Sequence, residues 1–224
     1  MTTPVRLAVF DCDGTLVDSG ATIHRALVMT FAEAGLPVPQ ARQSRRVIGL
    51  SLVEAMAALL PELEMADHYA LAESYKQQFI ALRGAGEVEE PLFEGVLDLL
   101  DTLEQDGWLL GVATGKSDRG LKHCLDLHGI HARFVSLQTA DRHPSKPHPS
   151  MALLAIEESG ASPATTFVVG DTSFDMAMAA AAGALPVGAG CGYHDADDLL
   201  RAGAAGVADA PGDVLALIAE HAYG

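Results

Sequence analysis

Short continuous apolar runs alternate along the chain with segments whose apolar residues recur at helical spacing. Five such runs are bounded by turn residues, and runs of this kind are typical of strands buried on both faces of a sheet. They cover residues 5–10, 109–114, 134–138, 165–170 and 185–190. Helical patterns cover residues 96–105, 118–128, 149–159, 174–182 and 213–221. Strands separated by helices predict an α/β fold, a doubly wound parallel sheet of the Rossmann-like type.

One interval interrupts this alternation. Residues 17–89 contain no convincing strand pattern, only helical segments at 21–34, 52–60 and 67–83. The simplest interpretation is a small helical insertion after the first strand. We therefore predict an α/β core formed by residues 1–16 and 90–224, with residues 17–89 as a separate α-helical unit.

Composition and charge narrow the class of protein. The formal net charge is −16, which disfavours a nucleic acid partner. No apolar stretch is long enough to span a bilayer, and the start of the chain lacks a signal-peptide pattern. The 3 cysteines form no CxxC pair, which argues against a disulfide framework or a zinc site. These features predict a cytoplasmic protein with no membrane partner, either a monomer or a small homo-oligomer.

The motif FDCDGTLVDS follows the first predicted strand and carries the strongest chemical signal. Residues two apart in a strand share a face, so Asp11 and Asp13 should point the same way, about 7 Å apart. Carboxylates this close repel each other unless a cation or a proton intervenes, and hard divalent cations prefer oxygen ligands. Gly14 permits a sharp turn that leaves backbone amides free to face an anion. Cys12 should face the opposite side and pack in the interior.

Three further motifs follow later predicted strands, where ligands of open α/β sheets bind. In VATGKS, the Thr114 hydroxyl and the amides near Gly115 can contact a phosphate, although such a threonine is more often a helix cap. The neighbouring Lys116 is interpreted as a solvent-exposed lysine. In SKPHP, two flanking prolines restrain Lys146, which could neutralise charge repulsion or simply be a loop lysine.

The fourth motif, VVGDTSFD, places two more carboxylates after a predicted strand. Asp171 can complete a metal site with Asp11, although taken alone it could also be a helix N-cap. Asp175 lies four residues later, about one helical turn, and could bind the metal through water or orient Lys146.

In this order, the motifs resemble those of the haloacid dehalogenase-like hydrolases. That family carries DxDGT after the first strand, Ser or Thr after the second, a later Lys-Pro and then GDxxxD. The resemblance covers essentially the whole chain and identifies the helical insertion with the family's α-helical cap domain. The matching residues are Asp11, Asp13, Thr114, Lys146, Asp171 and Asp175.

The resemblance implies a mechanism. Asp11 would attack phosphorus and form an aspartyl-phosphate, while Asp13 would act first as general acid and then as general base. Mg²⁺ would be held by Asp11, by the backbone carbonyl of Asp13 and by Asp171. Thr114, Lys146 and backbone amides near Gly14 and Gly115 would bind the phosphoryl oxygens.

Several activities within the family remain open at this stage. Asp13 argues against a dehalogenase, because those enzymes lack the second aspartate. A phosphonate hydrolase would use a cap lysine, for which only Lys76 is available. A sugar-phosphate mutase should carry a basic clamp near VIGLSLVEAM, where this chain has no cation. Arg45 and Arg46, just before that turn, either contact a substrate anion or only decorate a helix.

The favoured prediction is a phosphatase that resembles phosphoglycolate phosphatases and acts on a small phosphorylated metabolite. A sugar-phosphate mutase and a pyrophosphatase are the alternatives within the family. A receiver-type signalling module also gathers acidic residues, Thr and Lys around Mg²⁺, but its phosphoacceptor lies on a later strand and it has no helical insertion.

Overall fold

The computed structural model describes residues 4–222 as a parallel sheet with helices on both faces and additional helices inserted after the first strand. Six strands form the sheet in the order β3-β2-β1-β4-β5-β6. They are β1 (Leu7–Phe10), β2 (Leu109–Thr114), β3 (Phe134–Thr139), β4 (Thr166–Gly170), β5 (Leu185–Ala189) and β6 (Val207–Ala208). The predicted α/β class is therefore confirmed.

Helices of the α/β part follow the strands as the apolar spacing predicts. They are α5 (Val96–Gln105), α6 (Asp118–Leu127), α7 (Ser150–Ser159), α8 (Ser173–Ala182), α9 (Ala196–Arg201) and α10 (Val214–Ala222). The strand β6 and the helix α9 are absent from the sequence prediction. Both are short, and β6 is defined by its pairing with β5, which no local pattern in the sequence reveals.

Alternation along β1 divides the interior into two layers. Ala8 and Phe10 belong to one buried apolar cluster, which also contains residues of α5, α6 and α10. Leu7 and Val9 belong to a second cluster with residues of α7 and α8. A parallel sheet covered on both faces needs apolar residues at every position, which explains why β1 is buried along its whole length. Cys12 packs in the first cluster, as predicted.

The inserted helices have an apolar cluster of their own. They are α1 (Gly20–Glu33), α2 (Ala41–Arg45), α3 (Leu52–Leu59) and α4 (Met65–Gly84), and α2 is the one that the sequence pattern did not predict. Leu27, Phe31, Met56 and Leu71 are among the buried residues of this cluster. No helix in residues 4–222 combines the length and the apolar character needed to cross a membrane.

Candidate active site

Three neighbouring strands bring the predicted site residues to one edge of the sheet. The central strand β1 pairs with β2 on one side and with β4 on the other, all parallel. Asp11 follows β1, Thr114 ends β2 and Asp171 follows β4. Since the sheet order changes direction between β1 and β4, these residues lie where ligands of doubly wound sheets bind.

Two glycines allow the loops around Asp171 to close. Gly14 has φ +92°, and a Cβ atom there would lie 2.2 Å from Asp171 Oδ2. A Cβ atom on Gly192 would lie 2.1 Å from the Cβ of Asp171. No side chain fits at either position without moving Asp171, so both glycines are required for the approach of the two loops.

A cluster of buried acidic groups lies at this edge. Asp11, Asp171 and Asp175 each offer a carboxylate oxygen within 4.8 Å of the others. The ammonium of Lys146, itself fully buried, lies 3.0 Å from Asp11 Oδ1 and 2.5 Å from Asp175 Oδ1. One ammonium therefore pairs with two of the three clustered carboxyl groups, and the cluster has more acidic groups than cations.

The hydrogen bonds within this cluster leave one oxygen free. Asp11 Oδ1 accepts a bond from the Cys12 amide at 2.6 Å. Asp171 accepts from the Thr15 hydroxyl at 3.1 Å and from the Tyr193 amide at 2.9 Å. Among the described residues, Asp11 Oδ2 is buried and accepts no hydrogen bond. A buried carboxylate oxygen without a partner is costly, and it indicates a site that a ligand or an ion completes.

The pKa values of these acidic residues reflect their burial and their mutual repulsion. Burial, only partly opposed by Lys146, raises the pKa of Asp11 from its ordinary value of 3.8 to about 7. Burial and the charges of Asp11 and Asp175 also raise the pKa of Asp171 well above its ordinary value. Although burial alone would lower the pKa of Lys146, the charges of Asp11 and Asp175 raise it. Lys146 therefore stays an ammonium across the physiological range.

The residues present fit a hard divalent cation. Oxygen donors from Asp11, Asp171 and Asp175 converge, and one of them is unpartnered. A cation between them would offset the burial and the mutual repulsion that together raise the pKa values of Asp11 and Asp171. Mg²⁺ prefers such donor sets together with substrate phosphate oxygens.

Asp13 belongs to a second buried network beside the first. Its Oδ1 accepts from the Ser19 hydroxyl at 2.6 Å and from the Lys116 ammonium at 2.7 Å. Lys116 also contacts Glu90 Oε1 at 2.8 Å, and only 9% of its side chain is exposed. The interpretation of Lys116 as a solvent-exposed lysine is therefore wrong, because two carboxylates hold its ammonium in the interior.

A cavity of about 350 Å³ opens next to these residues. Asp11, Asp13, Thr114 and Gly115 line it on the side of the sheet, and the inserted helices line the rest. The Thr114 hydroxyl accepts a hydrogen bond from the Lys116 amide at 3.2 Å. Lys146 is not among the lining residues and contacts Asp11 from within the protein.

Three basic residues of the inserted segment were candidates for substrate binding, and they lie in two different places. Arg45 and Arg46 do not line this cavity but a separate groove, together with His194 and Arg201. They lie apart from Asp11 and Asp13 in this arrangement. Lys76 lines the cavity, is exposed, and forms an ion pair with Glu73 at 2.6 Å.

Several residues that contact the site residues were not predicted from the sequence. Thr15 and Ser19 lie within the DCDGTLVDS motif, so closer attention to its hydroxyls could have found them. Glu90, Gly192 and Tyr193 carry no local signal, because each reaches the site only through chain segments distant in sequence.

Comparisons with known proteins identify the family of this chain. The family model described as haloacid dehalogenase-like hydrolase matches residues 8–189. The chain belongs to this family. Because that family is one of hydrolases and curated relatives are described as phosphatases, the chain is a phosphoric monoester hydrolase.

Individual relatives cover most of the chain. A probable phosphatase, IndB from Dickeya dadantii, is 36% identical over 88% of this chain and 86% of its own. A phosphoglycolate phosphatase from Xylella fastidiosa is 35% identical over 86% of this chain and 83% of its own. Among solved structures, the haloacid dehalogenase-like protein SP0104 from Streptococcus pneumoniae is 29% identical, with a TM-score of 0.82. That match covers 95% of this chain and 97% of SP0104.

Proposed function

We propose that this phosphatase is Mg²⁺-dependent and transfers the phosphoryl group of a small metabolite to Asp11 before hydrolysis. The observation that carries the proposal is the state of Asp11. Lys146 and the Cys12 amide engage its Oδ1, while its Oδ2 has no partner among the described residues and the residue lines the cavity. A carboxylate held in this way is oriented for nucleophilic attack.

In the first step, Asp11 Oδ2 attacks phosphorus and the bond to the ester oxygen breaks. Asp13, which also lines the cavity, delivers a proton to the departing alkoxide. In the second step, Asp13 takes a proton from a water molecule as that water attacks phosphorus. Inorganic phosphate leaves and the Asp11 carboxylate is restored.

The remaining residues bind and orient. The Thr114 hydroxyl and the amide of Gly115 hold phosphoryl oxygens. The role predicted for the Gly14 amide is wrong in this arrangement, because that amide already donates to the Val17 carbonyl oxygen at 2.8 Å. Asp11, Asp171 and the backbone carbonyl of Asp13 would hold Mg²⁺, with Asp175 fixing Lys146. The ion, when bound, offsets the charge of the phosphate and of the carboxylates.

We further propose that the inserted helices, within residues 17–89, act as a cap that excludes water from the first step. Close contacts between the two parts support this assignment. The Ser51 amide donates to the Ser145 hydroxyl at 2.8 Å. A Cβ atom on Gly115 would lie 2.5 Å from the carbonyl oxygen of Leu50, so only glycine permits this approach.

Phosphoglycolate is the first candidate substrate on sequence grounds. The motifs DCDGTLVDS, VATGKS and SKPHPSM resemble those of phosphoglycolate phosphatases, and the relative from Xylella fastidiosa carries that name.

Detection of the phosphoenzyme tests the proposal. The wild type, mixed rapidly with a phosphate ester and Mg²⁺ and then quenched, should gain the mass of one phosphoryl group on the peptide that contains Asp11. Asp11→Asn should show neither the adduct nor turnover. Asp18→Asn is the matched control, since Asp18 is an exposed carboxylate of the same motif. An adduct in Asp11→Asn, or its presence on another peptide, would remove Asp11 as the nucleophile.

A further inference from the structure

An arginine of the inserted helices has two unsatisfied hydrogen-bond donors at the cavity. Arg83, on α4, lines the cavity together with Asp11 and Asp13. Its Nε and Nη2 atoms are buried, and neither has a hydrogen-bond partner among the described residues. These two atoms form one edge of the planar guanidinium group, and such an edge binds a carboxylate through two parallel hydrogen bonds. Buried donors without partners are costly, so this edge of Arg83 indicates a binding site for an anionic ligand.

Glu90 forms an ion pair with Arg83 but does not satisfy these donors. Its Oε2 lies 3.6 Å from Arg83 Nη2, which is beyond hydrogen-bond distance, and Oε2 has no partner of its own within residues 4–222. Its Oε1 already accepts a bond from the Lys116 ammonium at 2.8 Å. The guanidinium carbon of Arg83 lies 5.2 Å from the ring centroid of Phe79, a contact that helps to hold the side chain in place. Glu90 is thus shared between two cations, and the edge of Arg83 still lacks an acceptor.

The charge balance of this network favours an additional anion in the proposed reaction. Lys116 pairs with Asp13 as well as with Glu90. As the acid of the first step, Asp13 carries a proton when the substrate binds. Glu90 alone then offsets the charges of Lys116 and Arg83, and one positive charge remains beside the cavity.

Other charged residues near this part of the cavity do not cancel that charge. Lys76 forms an ion pair with Glu73. Arg119 and Asp141, both exposed, contribute one charge of each sign to the lining. The uncompensated charge therefore stays with the network that contains Arg83.

We propose, on the basis of the proposed phosphatase function, that Arg83 determines specificity by binding a carboxylate on the alcohol portion of the substrate through Nε and Nη2. The preferred substrates are then phosphate monoesters of short hydroxycarboxylic acids. The phosphoryl group of such an ester lies at Asp11, and its carboxylate reaches the inserted helices. An ester without this second anion leaves the buried edge of Arg83 unsatisfied, whereas a carboxylate gains two charge-assisted hydrogen bonds there.

Two esters of nearly the same shape isolate this contribution. Phosphoglycolate carries the carboxylate, and phosphoglycolamide has a neutral amide of similar size in its place. With the wild type and Mg²⁺, kcat/KM for phosphoglycolate should exceed that for phosphoglycolamide by about thirtyfold. The ratio of the two values does not depend on the folded fraction of a preparation, since both esters are assayed with the same protein.

Variants of Arg83 connect this preference to one side chain. Arg83→Gln removes the charge and the two-atom edge, and it should reduce the ratio to about one. Arg83→Lys keeps the charge without the edge, so its ratio should lie between those of Arg83→Gln and the wild type. Arg25→Gln is the matched control, because Arg25 also lies on an inserted helix and pairs with a glutamate, Glu87, but does not line the cavity. Its ratio should equal that of the wild type.

The outcomes separate this inference from the function on which it rests. Equal turnover of the two esters by the wild type would overturn the carboxylate site and leave the phosphatase assignment intact. An unchanged ratio in Arg83→Gln would make Arg83 a structural residue and would also overturn the inference, as would the same fall in the ratio in Arg25→Gln. Absence of turnover for every ester would refute the proposed function, and this inference with it.

Discussion

Replacement of Asp11, the proposed nucleophile, should stabilise the metal-free protein while abolishing its activity. Asp11 is buried with Asp171 and Asp175, and Lys146 compensates only part of their charge. Asp11→Asn keeps an oxygen at Oδ1 for its two donors and replaces Oδ2, which has no partner among the described residues. The substitution therefore removes a buried charge without removing a hydrogen bond.

The pKa of Asp11 determines how large this change in the free energy of unfolding should be. Its value of about 7 in the folded protein, against an ordinary value of 3.8, means that the folded state binds the proton more tightly than the unfolded state does. Stability is then lost as pH rises from about 4 to about 7, the opposite of a carboxylate with a depressed pKa. Burial of Asp11 therefore costs about 2 kcal/mol at pH 5.5, where the folded carboxyl is mostly protonated and must take up a proton on folding. The cost is about 4 kcal/mol at pH 8, where the folded carboxyl is mostly ionised.

Urea unfolding in excess EDTA at these two pH values measures the effect. The free energy of unfolding of Asp11→Asn should exceed that of the wild type by about 2 kcal/mol at pH 5.5 and by about 4 kcal/mol at pH 8. Asp18→Asn should match the wild type at both. Mg²⁺ should narrow the gap at pH 8, because it binds the folded wild type. An Asn variant no more stable than the wild type at pH 8 in EDTA would refute this account of the acidic cluster.

Other predictions concern the reaction and its positioning network. Asp13→Asn should reduce kcat for an alkyl phosphate by at least about a hundredfold but affect phosphorylation by p-nitrophenyl phosphate far less, because that leaving group needs no proton; equal losses would contradict its role as acid. Lys116→Met leaves Asp13 and Glu90 without their shared cation, and it should lower the free energy of unfolding by about 3 kcal/mol. Lys122→Met, which changes an exposed lysine of α6, is its control and should unfold like wild type. A chelator should abolish phosphatase activity, and added Mg²⁺ should restore that activity better than Ca²⁺ does. Turnover that is undiminished in excess chelator would exclude the metal-dependent mechanism.

The sequence by itself determined five of the six strands and the catalytic motifs that follow them. Apolar runs such as the one containing β1 are readable because strands buried on both faces tolerate few polar residues. Asp11, Thr114 and Asp171 were found because each directly follows or ends such a run, and Asp13 because it stands two residues after Asp11. Parallel strands bring those ends together.

Only the tertiary structure decided which partners these residues have. The environment of Lys116 depends on Glu90 and Asp13, which reach it through segments 26 and 103 residues away. Arg45 and Arg46 line a separate groove because α2 orients them there, a direction that no local pattern specifies. The cavity that Phe79 and other residues of the inserted helices line exists only where those helices meet the sheet edge. Local patterns fix what each segment becomes, whereas burial and charge pairing are set by contacts between distant segments.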